Sequence, residues 1–222
     1  MPQCPKPTKA DKTRRDIVAA AEQLFAEKGF RAMTLRDVTR QAHVNLAAVN
    51  YHFGSKRELI LAVICNRFEP INNERLRRLD VLRAAHQPQP IPLTDIFSAL
   101  FEPLFDSVRP KHGGDDHMLM QLIGRALTEP ADFIRSMHKV FFHELSQCFI
   151  CQLRRSCPQL SEEALHYRFF FVINTMLGTI IEQYRLEHLP DGSVDLSDPD
   201  DQLVKQLTDF AAAGFLQNDA TP

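Results

Sequence analysis

Thr34-Leu-Arg-Asp-Val-Thr-Arg-Gln-Ala-His-Val-Asn-Leu-Ala-Ala-Val-Asn-Tyr-His-Phe-Gly-Ser-Lys56 reads as two short helices joined by a tight turn, with a third helix starting at its end. The start signals are local. Thr34 precedes Leu35 with Asp37 three residues on, Asn45 precedes an Ala-rich stretch, and Ser55 has Glu58 three residues on. Leu35, Val38 and Ala42, then Val44, Ala48 and Val49, recur at helical spacing and supply an apolar face. The second helix then offers Leu46, Ala47, Asn50, Tyr51 and His52 outward. Small residues there permit close approach to a groove, Asn can pair with an adenine edge, and Tyr, His and Lys56 can reach phosphates. The pattern is that of a helix-turn-helix, although the same spacing also suits a helical hairpin inside any all-α domain.

Charge separates these readings. The whole chain carries only −2, but residues 1–60 hold 11 Lys and Arg against 6 Asp and Glu, a balance of +5, which leaves −7 on the remainder. A basic N-terminal segment on an acidic body is the asymmetry expected when one end meets phosphates. Residues 1–11 read as a flexible arm, with Lys6, Lys9 and Lys12 as further cations.

Residues 14–60 closely resemble the DNA-binding domain of the TetR family of bacterial transcriptional regulators. The family pattern is matched by Leu24-Phe25-Ala26-Glu27-Lys28-Gly29-Phe30, by Thr34, and by Val49-Asn50-Tyr51-His52-Phe53-Gly54-Ser55-Lys56-Arg57-Glu58-Leu59. The wording Val-Asn-Leu-Ala-Ala-Val-Asn-Tyr-His-Phe-Gly-Ser-Lys further resembles a branch that includes the fatty-acid-responsive PsrA-type regulators. His43 stands where the family usually has Gly in the turn, a position that favours positive φ. The resemblance implies a homodimer on a pseudo-palindromic double-stranded operator, released by a small-molecule effector. The expected DNA contacts are Arg14, Thr34, Asn45, Leu46, Ala47, Ala48, Asn50, Tyr51, His52 and Lys56.

With 222 residues, 44% hydrophobic and 24% charged, the chain has an ordinary globular composition. The longest apolar run, Phe169 to Ile173, is too short to span a bilayer, and the polar, Pro-rich start carries no secretory signal; the expected location is cytoplasmic. Five cysteines without secretory context argue against a disulfide framework. Cys148-x-x-Cys151 lacks a second ligand pair at zinc spacing, and no metal or cofactor is expected. Nucleotide-binding loops and hydrolase or metalloprotease motifs are missing, which argues against an enzyme.

No β-alternation appears, so the fold class is all-α with about nine helices: near 13–28, 35–42, 46–53, 55–86, 93–108, 115–128, 130–157, 161–188 and 198–217. Residues 1–60 form the expected DNA-binding domain, and 61–222 a ligand-binding and dimerisation domain. Pro70 is expected to kink the fourth helix. Phe169 to Ile181 circle the eighth helix with apolar side chains, which requires burial on all sides, so helices eight and nine are the expected dimer interface. Helices five to eight set a few polar groups among many apolar ones, the expected form of an effector cavity. Its candidate residues are Phe101, Phe105, Gln121, Arg125, Met137, Phe141 and Asn174, with Arg125 as anchor for a carboxylate or acyl head group. A long-chain fatty acid or acyl-CoA fits this lining. A drug-like or aromatic effector needs no such cation, and a helical interaction module without DNA binding is the remaining alternative.

Overall fold

The computed structural model describes residues 8–108, 117–128, 142–182 and 199–217. Among these residues the chain forms helices and no strand. They are α1 (Lys9–Ala32), α2 (Leu35–Gln41), α3 (Leu46–Phe53), α4 (Lys56–His86), α5 (Leu93–Val108), α6 (His117–Thr128), α7 (His143–Ser156), α8 (Glu162–Glu182) and α9 (Pro199–Leu216). The all-α expectation holds, and most boundaries fall within two residues of those read from the sequence.

The expected start of helix seven at 130 and end of helix eight at 188 lie outside the described residues. Helix α1 departs at both ends. It starts four residues earlier than expected, because Thr8 and Asp11 form a reciprocal capping box: the Asp11 N–H donates to the Thr8 hydroxyl at 3.2 Å, and the Thr8 N–H to the Asp11 carboxylate at 2.9 Å. At the other end Gly29, with φ 74° and ψ 173°, breaks the helical path as the sequence implied, but a last turn resumes beyond it. The break deprives the preceding carbonyls of their helical donors.

Contacts divide the chain into two compact units. One holds the described residues up to Phe68 together with 121–128; the other holds 69–108, 117–120 and the described residues from 142 onward. The division falls inside α4 beside Pro70, whose missing N–H leaves the Asn66 carbonyl without its helical donor.

In the first unit α1, α2 and α3 pack on one another. Ile17, Ala21, Leu24 and Phe25 form the buried stripe of α1 and meet Val38, Val49 and Phe53 in one core. Arg67 on α4 donates to the largely buried carboxylate of Glu22 on α1, which supplies the partner that a buried charge requires. In the second unit α9 packs chiefly on α5 and also on α8, while α7 packs on α5 and α8. Phe97 stacks on Phe101 at 5.7 Å and meets Phe215 of α9 edge-on at 5.2 Å. Pro103 lies inside α5 and opens its ladder.

Helix α8 is long and apolar enough, by length and composition alone, to cross a membrane. Its burial is one-sided, however. Leu165, Phe169, Val172, Met176 and Ile180 are buried at helical spacing, whereas Tyr167, Phe170 and Phe171 are more than half exposed. The expectation of burial all round is therefore met within one chain on one face only.

Candidate nucleic-acid interface and effector residues

Each part of the α2–α3 motif is set by a local cap. The Thr34 hydroxyl accepts from the Asp37 N–H at 3.1 Å, and the Asp37 carboxylate accepts from the Thr34 N–H at 3.2 Å. The Thr34 hydroxyl also holds the Asp37 carboxyl below its ordinary pKa, helped by Lys28 and Arg40. The Asn45 side-chain oxygen accepts from the Ala48 N–H at 2.8 Å and opens α3. Between them the Val44 N–H donates to the Thr39 carbonyl at 3.0 Å, closing the turn. His43 adopts φ 53°, so the turn takes its left-handed form without the glycine that would make it easy. Gly54, at φ 71°, stops α3.

The inner face of α3 is buried through Val49 and Phe53. Asn45, Leu46, Ala47, Asn50 and Tyr51 are exposed, and Ala48 and His52 are half-buried. Tyr51, 84% exposed, meets His52 edge-on at 5.1 Å. Arg14 on α1 is exposed, with its guanidinium 5.4 Å from the Phe53 ring centre, which ties it to the end of α3. Of the expected groove-facing set, Leu46, Ala47 and Asn50 lie on the solvent side of a short capped helix, and Ala48 is half-buried. Arg36 and Arg40 also stand exposed on α2; in the sequence alone they look like ordinary surface cations.

Two cations have tasks other than those expected. The Lys56 ammonium donates to the Met33 carbonyl at 2.6 Å and lies 4.6 Å from the Phe30 ring centre, so it fastens the start of α4 to the end of α1. Arg125 donates to the carbonyls of Ala26 at 3.1 Å and Glu27 at 2.7 Å. Those are carbonyls left short of helical donors by the Gly29 break, so Arg125 works as a cap supplied from α6.

The other described effector candidates are divided between the two units. Phe101 and Phe105 are fully buried in the second unit. Gln121 is exposed and belongs, with Arg125, to the first unit. Asn174 is exposed and donates to the Phe170 carbonyl at 2.8 Å, within its own helix. Met137 and Phe141 lie outside the described residues. Cys148 is half-buried and Cys151 exposed, and burial raises the Cys148 thiol pKa.

A short capped helix presented by a three-helix unit, followed by an apolar helical body, defines the class of helix-turn-helix regulators. Residues 17–63 match the family model described as bacterial regulatory proteins, tetR family, and residues 98–214 match the tetracyclin repressor-like C-terminal domain. The second match alone covers more than half of the chain, which belongs to the TetR family of bacterial transcriptional regulators. The chain resembles the HTH-type transcriptional regulator SrpR of Pseudomonas putida, 27% identical over 139 residues, 62% of this chain and 63% of SrpR. It also resembles the transcriptional dual regulator CecR of Shigella flexneri, 43% identical over 54 residues, 24% of each. The chain thus spans less than two thirds of the length of these relatives.

Among solved structures, Salmonella enterica GusR shares the fold with a TM-score of 0.61 over 95% of this chain and 99% of its own, at 16% identity. The fatty acid degradation regulator FadR of Bacillus halodurans shares it with a TM-score of 0.55 over 93% of this chain and 97% of its own, at 15% identity. At those identities the likeness concerns the fold.

Proposed function

We propose that this chain is a cytoplasmic, homodimeric, ligand-responsive DNA-binding regulator, and most simply a repressor released from a pseudo-palindromic operator by an apolar small molecule. The observation that carries the reading is the α3 surface: Leu46, Ala47, Asn50 and Tyr51 exposed above a buried Val49 and Phe53. Leu46, Ala47, Ala48 and Asn50 face base edges, while Arg14, Thr34, Asn45, Tyr51 and His52 hold or orient the backbone. Lys56, with its donor on Met33, is better read as a positioning residue.

The homodimer forms through α8 and α9. Tyr167, Phe170 and Phe171 on α8 and Phe210 and Leu216 on α9 are all more than half exposed. An apolar groove of about 520 Å³, lined by Phe171, Val172, Phe210 and Ala211, runs between these helices. A contiguous exposed aromatic patch of this kind is what a partner chain covers.

A long-chain fatty acid or its acyl-CoA suits the aliphatic and aromatic interior of the second unit. The stacked Phe97 and Phe101 also suit an aromatic, drug-like effector. The test is selection of genomic fragments with the purified chain, followed by mobility shift across salt and across fatty acids of increasing length. Salt-dependent binding to one pseudo-palindrome, and release that strengthens with chain length, is the expected result. Binding without sequence preference would overturn the operator reading.

A further inference from the structure

Arg75 is the largest fully buried side chain described in the molecule, at 1% exposure on α4. Its Nε–H donates to the Leu100 carbonyl at 2.7 Å, Nη1 to the Asn72 side-chain oxygen at 3.2 Å, and Nη2 to the Met176 sulfur at 3.5 Å. All three acceptors are neutral, and a thioether is a weak one. A guanidinium has five N–H donors in a rigid fork built to take two oxygens at once. Among the described residues no carboxylate pairs with it.

The nearest acid in sequence, Glu74, points to an adjacent face and is engaged by Arg77 and Arg78. Burial alone acts on the Arg75 guanidinium, pulling its pKa down to about 9, so it stays charged at neutral pH. Glu22 shows the contrast, since its largely buried carboxylate is paired with Arg67. The acceptor from α5, Leu100, lies in the turn before Pro103, whose ring removes the helical bond to the neighbouring Ala99 carbonyl. Buried charges are as a rule paired, and a cation held among neutral acceptors is costly unless an anion arrives.

We propose that Arg75 is the anion-binding residue of an effector site inside the second unit, and that its ligand is an organic carboxylate with an apolar body. The carboxylate takes the guanidinium fork, and the body takes space among the apolar side chains of α4, α5 and α8. A single negative charge neutralises the site, whereas a phosphate dianion would leave a net charge in an apolar interior. This rests on the reading of the chain as an effector-responsive regulator, and it moves the head-group role from Arg125 to Arg75.

The experiment uses the full chain with dodecanoate and biphenyl-4-carboxylate, the methyl ester of each, and the selected operator fragment. Binding is followed by titration calorimetry and by operator release. At least one acid should bind about tenfold or more tightly than its own ester. Arg75→Met should remove that difference while leaving operator binding intact, and Arg75→Lys should keep part of it. Equal binding of acid and ester to the unmutated chain overturns the anion site and leaves the apolar-effector reading standing. An acid preference that survives in Arg75→Met also overturns it. If no acid or ester binds or releases DNA, the effector reading falls and the site with it. Should Arg75→Met fail to fold, the acid-against-ester comparison on the unmutated chain decides alone.

Discussion

Lys56 and Met33 are joined across the DNA-binding unit: the ammonium of the first lies 2.6 Å from the carbonyl oxygen of the second. Met33 is the C-cap of α1, so its carbonyl has no helical donor, and the nearby Phe30 ring adds a cation–π contact. Lys56→Ala should therefore lower stability by about 1–2 kcal/mol, read by urea denaturation. The salt dependence of DNA binding should change by less than the roughly one unit a lost phosphate contact produces. A full unit of change with unaltered stability would restore Lys56 to the phosphate contacts.

Asn50 carries the sharpest expectation about sequence preference. It is exposed in the middle of α3, between the exposed Ala47 and Phe53 at the buried end. Asn50→Ala should cost about 1–3 kcal/mol on the selected operator and relax preference at one position in each half-site. Competition binding against operators varied one base pair at a time measures both effects.

The exposed aromatic patch predicts an oligomeric state. Phe210 is 69% exposed and Phe170 61%, one on each of the two helices. Phe170→Glu together with Phe210→Glu would place carboxylates in the proposed α8–α9 interface and should give a monomer in analytical ultracentrifugation. Retention of the dimer would move the interface elsewhere.

The turn before α3 stores a small strain at His43, whose φ is 53°. His43→Gly should raise stability by about 0.5–1 kcal/mol, the relief of left-handed backbone less the entropy glycine adds to the unfolded chain. Thermal melting of the two proteins provides the comparison.

Acid should weaken the second unit through Glu74. Hydrogen bonds from Arg77 and then Arg78 bring its carboxyl from an ordinary 4.5 down to about 2. A folded pKa below the unfolded one means the fold favours the ionised form. That contribution is complete above about pH 4.5 and is lost as the pH falls toward 2. Stability measured against pH should slope downward across that interval, and Glu74→Gln should flatten the slope.

The DNA-binding motif is legible in the sequence because its determinants are local. Thr34 with Asp37, Asn45 with Ala48, and Ser55 with Glu58 each act within three residues, and each hydrogen bond is present. The start of α1 uses the same Thr-x-x-Asp spacing at Thr8 and Asp11. That signal is masked because apolar periodicity begins only at Ile17 and a Pro-rich run comes just before. The effector residues are less legible because their partners are distant in sequence. A lone Arg125 in an apolar helix looks like a ligand anchor until the Gly29 break supplies it with carbonyls about a hundred positions away. Arg75 lies in Asn72-Asn73-Glu74-Arg75-Leu76-Arg77-Arg78, which reads as a solvated charged face. Only the packing of α4, α5 and α8 separates it from its neighbours.

Helix α3 has eight residues, bounded by Asn45 and Gly54. At 1.5 Å per residue it rises about 12 Å. Against 3.4 Å per base pair, that is a reading frame of roughly four base pairs. A word of that length recurs by chance about every few hundred base pairs, far too often to mark one promoter among the competing sites of a genome. Two such words at a fixed separation recur about every several tens of thousands. If two chains pair through α8 and α9 as proposed, most of the address is written in that pairing rather than in either chain, and a lesion on α8 or α9 would erase it while leaving the α3 surface in place.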